Sequence, residues 1–323
     1  MMKDSIAQYF RPINPTFLDK SWGDGFELYY KTEEEGQEQF LKYADYTPDV
    51  RDKILQILQE QNHQQLYIHE TDLLKYYKQV LLKNLRQDLA DKKLSSAQAL
   101  QKVYPIASRI LSEYFGFFAS VRILRALDDI PGILVPFMVK EALPFPKVYN
   151  LTGKENHVYA HCLNVGLYCL NLGVHLNMSE KDLEELFLGG MLADIGKITI
   201  PEEILNKKKE LDMEELHFVR KHPSAGRKIL NDMKCYSESI LLMAAEHHEN
   251  FDGSGYPFSK AGDKISQFAR ICKIMDVFNA LTSERAYHKP LDPPKALSKI
   301  KNEMLNEVDQ ALLAEFILSI GPK

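Results

Sequence analysis

A mainly α protein is predicted, with a small α+β module over residues 1–75, a helical connector over 76–145 and an all-helical C-terminal domain over 146–323. Three observations carry this. Runs with strand character are confined to the first part of the chain, apolar residues recur at helical spacing from Leu73 onward, and 323 residues exceed one ordinary compact domain without reaching three.

The strands come first. Phe26 to Lys31 (FELYYK) and Gln65 to Ile68 (QLYI) are rich in aromatic and β-branched residues and are flanked by Gly23, Gly25 and polar turns. Between them Thr47 and Pro48 open a helix whose apolar residues Val50, Ile54, Ile57 and Leu58 share one face. The connector reads as three helices: Leu73 to Leu89, one capped by Ser95 or Ser96, and a longer apolar one from Ile110 to Leu124. Pro131 to Pro146 contains four prolines, which break helix interiors, so a packed connector segment is expected there and a boundary near residue 145.

Hydrophobic residues at 45% and charged residues at 26% are enough for a sizeable core and rule out wholesale disorder. A net charge of −5 gives no electrostatic reason to expect a nucleic-acid duplex or an anionic membrane as partner. The longest apolar stretch, Ile130 to Val139, is half of a bilayer crossing and is interrupted by prolines, and the N-terminus lacks the pattern of a signal peptide. A cytoplasmic protein is therefore expected. Cys162, Cys169, Cys235 and Cys272 form no CxxC pair and are read as small hydrophobes inside helices.

The chemistry-bearing residues gather after residue 145. His157 and His161 are four apart on a helical pattern, so both rings are expected on one face; alone, such a pair is an ordinary partly exposed one. The apolar helix Leu183 to Leu192 runs into Asp194, and a carboxylate embedded there must be paired or metal-bound. His222 precedes Pro223. His247 and His248 end the helix that contains Ile240 to Ala245, just before the turn Asp252 to Pro257. Asp276 lies between the small residues Cys272 and Ala280 on its helix, a face with room for an ion. Several imidazoles with two carboxylates in one domain match a mixed N/O site for iron, manganese or zinc.

Three ordered blocks, DIGKITIPEEIL from Asp194 to Leu205, HHENFDGSGYP from His247 to Pro257 and DVFNALTSERAY from Asp276 to Tyr287, carry a resemblance to a family. The stretch from His157 to about Leu305 resembles the HD-GYP domain, a bacterial, all-helical branch of the HD metal-dependent phosphohydrolases that cleaves cyclic di-GMP. The resemblance implies an HD-type helical bundle and two divalent metal ions, iron or manganese, with zinc as the alternative. It makes His161 and Asp276 ligands of one metal, His222, His247 and His248 ligands of the other, and Asp194 the bridge between them. Lys197 would orient a phosphate and act with Asp194 in catalysis, while Tyr256 and Arg285 would contact the dinucleotide. Without the resemblance, Lys197 is a helix-terminal charge, Arg285 a surface cation and Gly255 to Pro257 a turn.

One departure stands out. The family's dyad is His followed by Asp, whereas Ala193 precedes Asp194 here. Alanine offers no ligand, so the first metal keeps a reduced shell. His157 occupies the position one turn before His161, where family members with a third metal carry a glutamate, and it is read as an additional ligand of an altered site. Two functions follow: a cyclic di-GMP phosphodiesterase impaired by Ala193, or a degenerate member that binds cyclic di-GMP, a protein partner or a second copy of the chain without turnover. Hydrolysis of another phosphodiester is the third reading.

Overall fold

The computed structural model describes residues 9–13, 26–34, 37–44, 65–90, 94–116, 121–153, 157–205, 207, 209–284 and 289–320. It is mainly helical, with one small antiparallel sheet at the N-terminal end, as the sequence predicts. Strands β1 (Phe10–Ile13), β2 (Leu28–Glu34), β3 (Gln37–Ala44) and β4 (Leu66–His69) pair in the order β1-β4-β2-β3. Leu28 lies opposite Ile68, and Lys31 opposite Phe40. Side chains alternate across the pleat: Ile13, Leu28, Leu66 and Ile68 are buried on one face, while Phe10 stacks on Phe40 on the other, with ring centroids 4.3 Å apart.

The central strands β2 and β4 occupy the two predicted runs. The edge strands β1 and β3 escape sequence reading for separate reasons. Pro12 in β1 is tolerated at a sheet edge, and β3 opens on three polar residues, Gln37 to Gln39, with Leu41 exposed. The helix expected from Thr47 lies outside the described residues.

The helical run α1, residues 73–89, has a π-helical middle at Tyr77–Leu82. Helix α2 (Ser96–Gly116) starts at Ser95, whose hydroxyl accepts from the Gln98 N–H while the Gln98 side chain accepts from the Ser95 N–H. Two separate helices were expected here, but α2 runs on through Pro105. Its stripe of Ala99, Leu100, Val103, Ala107, Ile110, Leu111 and Tyr114 is continuous, and Pro105 sits on the exposed side, where its missing N–H leaves no buried carbonyl unserved, since Gln101 is exposed as well. Past Gly116, Val121–Ala126 forms a 3₁₀ turn in place of the predicted helix end.

Most of the Pro131 to Pro146 segment is also helical, contrary to expectation, with a break only at residues 141–144. Helix α3 (Asp129–Lys140) holds Pro131 in its first turn, where an N–H has no intrahelical partner, and Pro136 on its exposed side. Pro144 and Pro146 flank the start of α4 (Phe145–Leu151). The buried apolar residues of sheet, connector and later helices form one continuous cluster. At the sheet's contact with α2, Arg11 pairs with Glu113 inside the protein (3.5 Å).

The bundle that follows contains α5 (Val158–His175), α6 (Glu180–Leu192), α7 (Glu202–Leu205), α8 (Met213–Val219), α9 (His222–Asp232), α10 (Glu238–Glu246), α11 (Gln267–Thr282), α12 (Pro293–Glu303) and α13 (Gln310–Ile320). Helices α5 and α6 cross with their backbones in contact: a Cβ on Gly190 would lie 2.7 Å from the Cα of Gly166. This crossing brings the start of α5, with His161, against the end of α6, where Asp194 follows. Among the described residues no helix is long and apolar enough to cross a membrane. Cys162, Cys169 and Cys272 are buried as predicted, whereas Cys235 is exposed in the loop after α9, because the apolar helical pattern has already ended at Met233.

Candidate metal centre

Asp194 leaves α6 two residues after its last turn and starts a 3₁₀ turn, Ile195–Thr199. That turn is pressed against the start of α9: a Cβ on Gly196 would sit 2.0 Å from the carbonyl oxygen of His222. Only glycine allows this approach, and it delivers the His222 ring to Asp194. His247 caps the C-terminal end of α10, so His247 and His248 leave the helix where the chain bends. Their ring centroids are 4.2 Å apart, and His222 lies 4.9 Å from His248.

Two groups of donors result. One atom from each of Asp194, His222, His247 and His248 lies within 4.8 Å of every other, and the same holds for His161, Asp194 and Asp276. Asp194 belongs to both. Its Oδ1 faces His222 Nε2 at 3.1 Å and His247 Nε2 at 3.5 Å, and its Oδ2 faces His161 Nε2 at 3.2 Å. His161 Nε2 also reaches Asp276 Oδ1 at 2.8 Å.

Tautomers decide what these contacts are. His222 Nδ1 donates to the Val219 carbonyl (2.7 Å), and His247 Nδ1 donates to the carbonyls of Met243 and Ala244 (3.1 Å each). In the neutral rings both Nε2 atoms therefore carry lone pairs, yet they stand 3.3 Å apart and both face a carboxylate. Asp194 Oδ1 is correspondingly buried with no hydrogen-bond donor. Three converging acceptors with no proton between them fit a cation, and nitrogen with carboxylate oxygen is the donor set of iron, manganese or zinc.

His161 is held differently. Asn279 Nδ2 contacts its Nδ1 at 2.6 Å, and the Asn279 carbonyl accepts from Ser283. In this orientation His161 Nε2–H donates to Asp276; with the amide rotated, the Asn279 carbonyl accepts Nδ1–H and Nε2 becomes a ligand.

Burial opposes the charge on Asp194, but the Lys197 ammonium, 2.6 Å from Oδ2, and His161 outweigh it and hold the carboxyl well below the usual range. Asp276 is likewise lowered against burial by its bond from His161. Burial lowers His222 and drives His248 well below an ordinary imidazole, so both are neutral and ready to ligate.

The site thus unites His161, Asp194, Lys197, His222, His247, His248 and Asp276, with the Tyr256 ring stacked on His248 at 4.9 Å. Arg285 lies outside the described residues. His157 is a correction. It is the N-cap of α5 with an extended backbone (φ −111°, ψ 138°), so helical spacing to His161 does not apply, and its ring lies parallel to Tyr159 at 4.9 Å, outside both donor groups. Ala193 is buried beside His161, Cys272 and Asp276.

Sequence reading missed the supports. Glu249, buried, accepts from the N–H groups of Phe258 (2.6 Å) and Lys260 (3.0 Å), and Glu246 accepts from the Ser266 N–H (2.8 Å) and Lys260. These bonds fix the loop that carries Tyr256. Glu249 stands inside the HHEN block, which is the signal that points to it. Arg220 lies 5.5 Å over the Tyr256 ring.

A model of the HD domain family matches residues 148–312. The chain is 28% identical over 221 residues to a cyclic di-GMP phosphodiesterase of Pseudomonas aeruginosa, covering 67% of this chain and 53% of that protein. It is 38% identical over 148 residues to 3'3'-cGAMP-specific phosphodiesterase 2 of Vibrio cholerae, covering 44% of this chain and 28% of that protein. The chain therefore spans about half the length of the first relative and less of the second. An HDG"Y"P protein from Bdellovibrio bacteriovorus has the same fold, with a TM-score of 0.64 at 18% identity over 96% of this chain and 99% of that one.

Proposed function

This chain belongs to the HD domain family, and from that premise we propose that it hydrolyses a phosphodiester bond of a cyclic dinucleotide, cyclic di-GMP first, at a two-cation centre bridged by Asp194. The observation that carries this reading is the pair of donor groups sharing one carboxylate, with two imidazole lone pairs turned toward each other. The names of the curated relatives, phosphodiesterases of cyclic di-GMP and of 3'3'-cGAMP, supply the substrate class.

Iron or manganese, with zinc as the alternative, would be held by His161, Asp194 and Asp276 on one side and by Asp194, His222, His247 and His248 on the other. Cations bound there would supply Lewis acidity toward a water and the phosphoryl oxygens. The protein's own part is positional. Asp194 keeps the two groups in register, and the buried neutral rings keep protons off the ligand atoms. Lys197 carries a cation at the edge of Asp194 and would donate to a non-bridging phosphoryl oxygen, a bond that strengthens as charge builds there. Tyr256, fixed on His248, would wall the substrate, and Arg285 would contact its phosphates. A boundary near residue 145 and a cytoplasmic place of action belong to the same proposal.

Ala193 favours a second reading. Its methyl group leaves His161, Asp194 and Asp276 as a three-donor group, and a weakened first cation would make the protein a cyclic di-GMP binder without turnover, acting through a protein partner or a second copy of the chain. Turnover by protein purified without oxygen and loaded with ferrous iron or manganese, with products separated by chromatography, decides between them. Hydrolysis that Asp194→Ala abolishes supports the enzyme; saturable nucleotide binding without product supports the binder.

A further inference from the structure

Beside the metal centre, a cleft of about 260 Å³ opens between the end of α2, the start of α5 and the segment from the 3₁₀ turn to α7. Phe115, His157, Tyr159, Ile198, Lys197 and Glu202 line it. We propose that this cleft is a subsite for one guanine base of the substrate, with the His157–Tyr159 ring pair as stacking platform and Glu202 as the group that reads the base edge. The proposal rests on the cyclic-dinucleotide reading and adds to it a base-binding site to which the connector contributes.

Four observations converge. Lys197 is shared: it lines the cleft and touches Asp194 at 2.6 Å, so a base in the cleft would be joined through its ribose to a phosphate at the centre. The size suits one base rather than the whole dinucleotide, since sites that enclose a drug-sized ligand run to about 300–1,000 Å³. The walls combine aromatic and aliphatic side chains with the polar groups of Lys197 and Glu202, and the two parallel rings, 4.9 Å apart with planes 9° from each other, offer a face on which a base can stack. Finally, a carboxylate is an acceptor with two oxygens. Guanine's Watson–Crick edge offers adjacent N1–H and N2–H donors to it, whereas adenine turns its N1 lone pair toward the same group, an opposition that selects against adenine.

Helix α5 does not depend on the His157 side chain, which makes no capping bond, so His157 can be changed without loss of the fold. The test is equilibrium binding of cyclic di-GMP and cyclic di-AMP, with phosphorothioate linkages to block hydrolysis, to the full chain loaded with manganese, together with metal analysis of each variant. His157→Ala should weaken cyclic di-GMP binding about tenfold with unchanged metal content, His157→Phe should restore it, and Glu202→Gln should narrow the preference for cyclic di-GMP over cyclic di-AMP. Unchanged affinity in His157→Ala, or a loss of metal that accounts for the weaker binding, overturns the subsite alone. Failure of the unaltered, metal-loaded protein to bind any cyclic dinucleotide overturns the functional reading and the subsite with it.

Discussion

His222 and His247 present the same ring nitrogen to each other, Nε2 to Nε2, at 3.3 Å. Each donates its Nδ1–H to a main-chain carbonyl, so in the neutral rings the contact is a meeting of lone pairs beside the Asp194 carboxylate. The arrangement costs free energy without a cation and gains it with one.

Manganese or ferrous iron should therefore stabilise the fold strongly. A cation at a hundredfold excess over its Kd adds about 2.7 kcal/mol, read as a rise in thermal midpoint that chelation reverses. His247→Leu, which touches only one of the two groups, should reduce that rise, yet should not lower the midpoint measured in chelator, because it relieves the opposed acceptors. A variant that loses stability equally in both conditions would contradict this account.

Metal stoichiometry should follow the sharing of Asp194. Asp194→Ala is expected to lose both cations, whereas Asp276→Ala, which touches only the group containing His161, should retain one. Ala193→His should tighten the weaker of the two sites. Atomic emission analysis of the dialysed proteins reads all three.

Acid should act on the metal-free fold through the histidines. His222 and His248 have folded pKa values depressed below the ordinary value of 6.5, chiefly by burial. Below that value the unfolded chain takes up protons that the folded one refuses, so the stability present above pH 6.5 is lost as pH falls toward the folded pKa values. Chelator-treated protein should show a thermal midpoint that drops from about pH 6.5 downward, and His248→Gln should flatten the slope. A midpoint that rises on acidification from pH 6.5 would refute the assignment.

Gly196→Ala should uncouple His222 from Asp194. The added Cβ would lie 2.0 Å from a backbone oxygen, which cannot give way as a side chain can. A cost of about 1–3 kcal/mol is expected from overpacking, with loss of the cation shared by His222. Gly132→Ala, on an exposed side of α3 with its nearest contact at 3.8 Å, serves as control and should gain about 0.5–1 kcal/mol.

Much of the centre is legible in the sequence because its ligands are residue types that cost too much to bury alone. Asp194 at the end of an apolar helix and His247–His248 before a turn announce themselves in this way. His157 misleads because spacing of four implies a shared face only if both residues are helical, and the helix begins one residue after it. Pro105 and Pro136 mislead similarly: a proline breaks a helix where its neighbours are buried, and both stand on exposed sides that the one-dimensional pattern does not display. Asn279 and Glu246 stay hidden because they act through other residues, and no periodicity marks a partner of a partner; Glu249 acts in the same way, and only its place in the HHEN block points to it. The close approaches of Gly190 to Gly166 and of Gly196 to His222 are three-dimensional facts with no local signal.

The carbonyls that hold the ring protons of His222 and His247 belong to Val219, Met243 and Ala244, in the last turns of α8 and α10. Helix ends leave carbonyl oxygens with acceptor capacity to spare, Met243 taking the His247 N–H as well as its ring, and the macrodipole gathers negative charge there. Because these acceptors are main chain, substituting the residues that bear them leaves the oxygens in place. The protonation pattern of His222 and His247 is thus inherited with the helix ends, and the side chains at 219, 243 and 244 can drift under packing constraints alone while these tautomers persist.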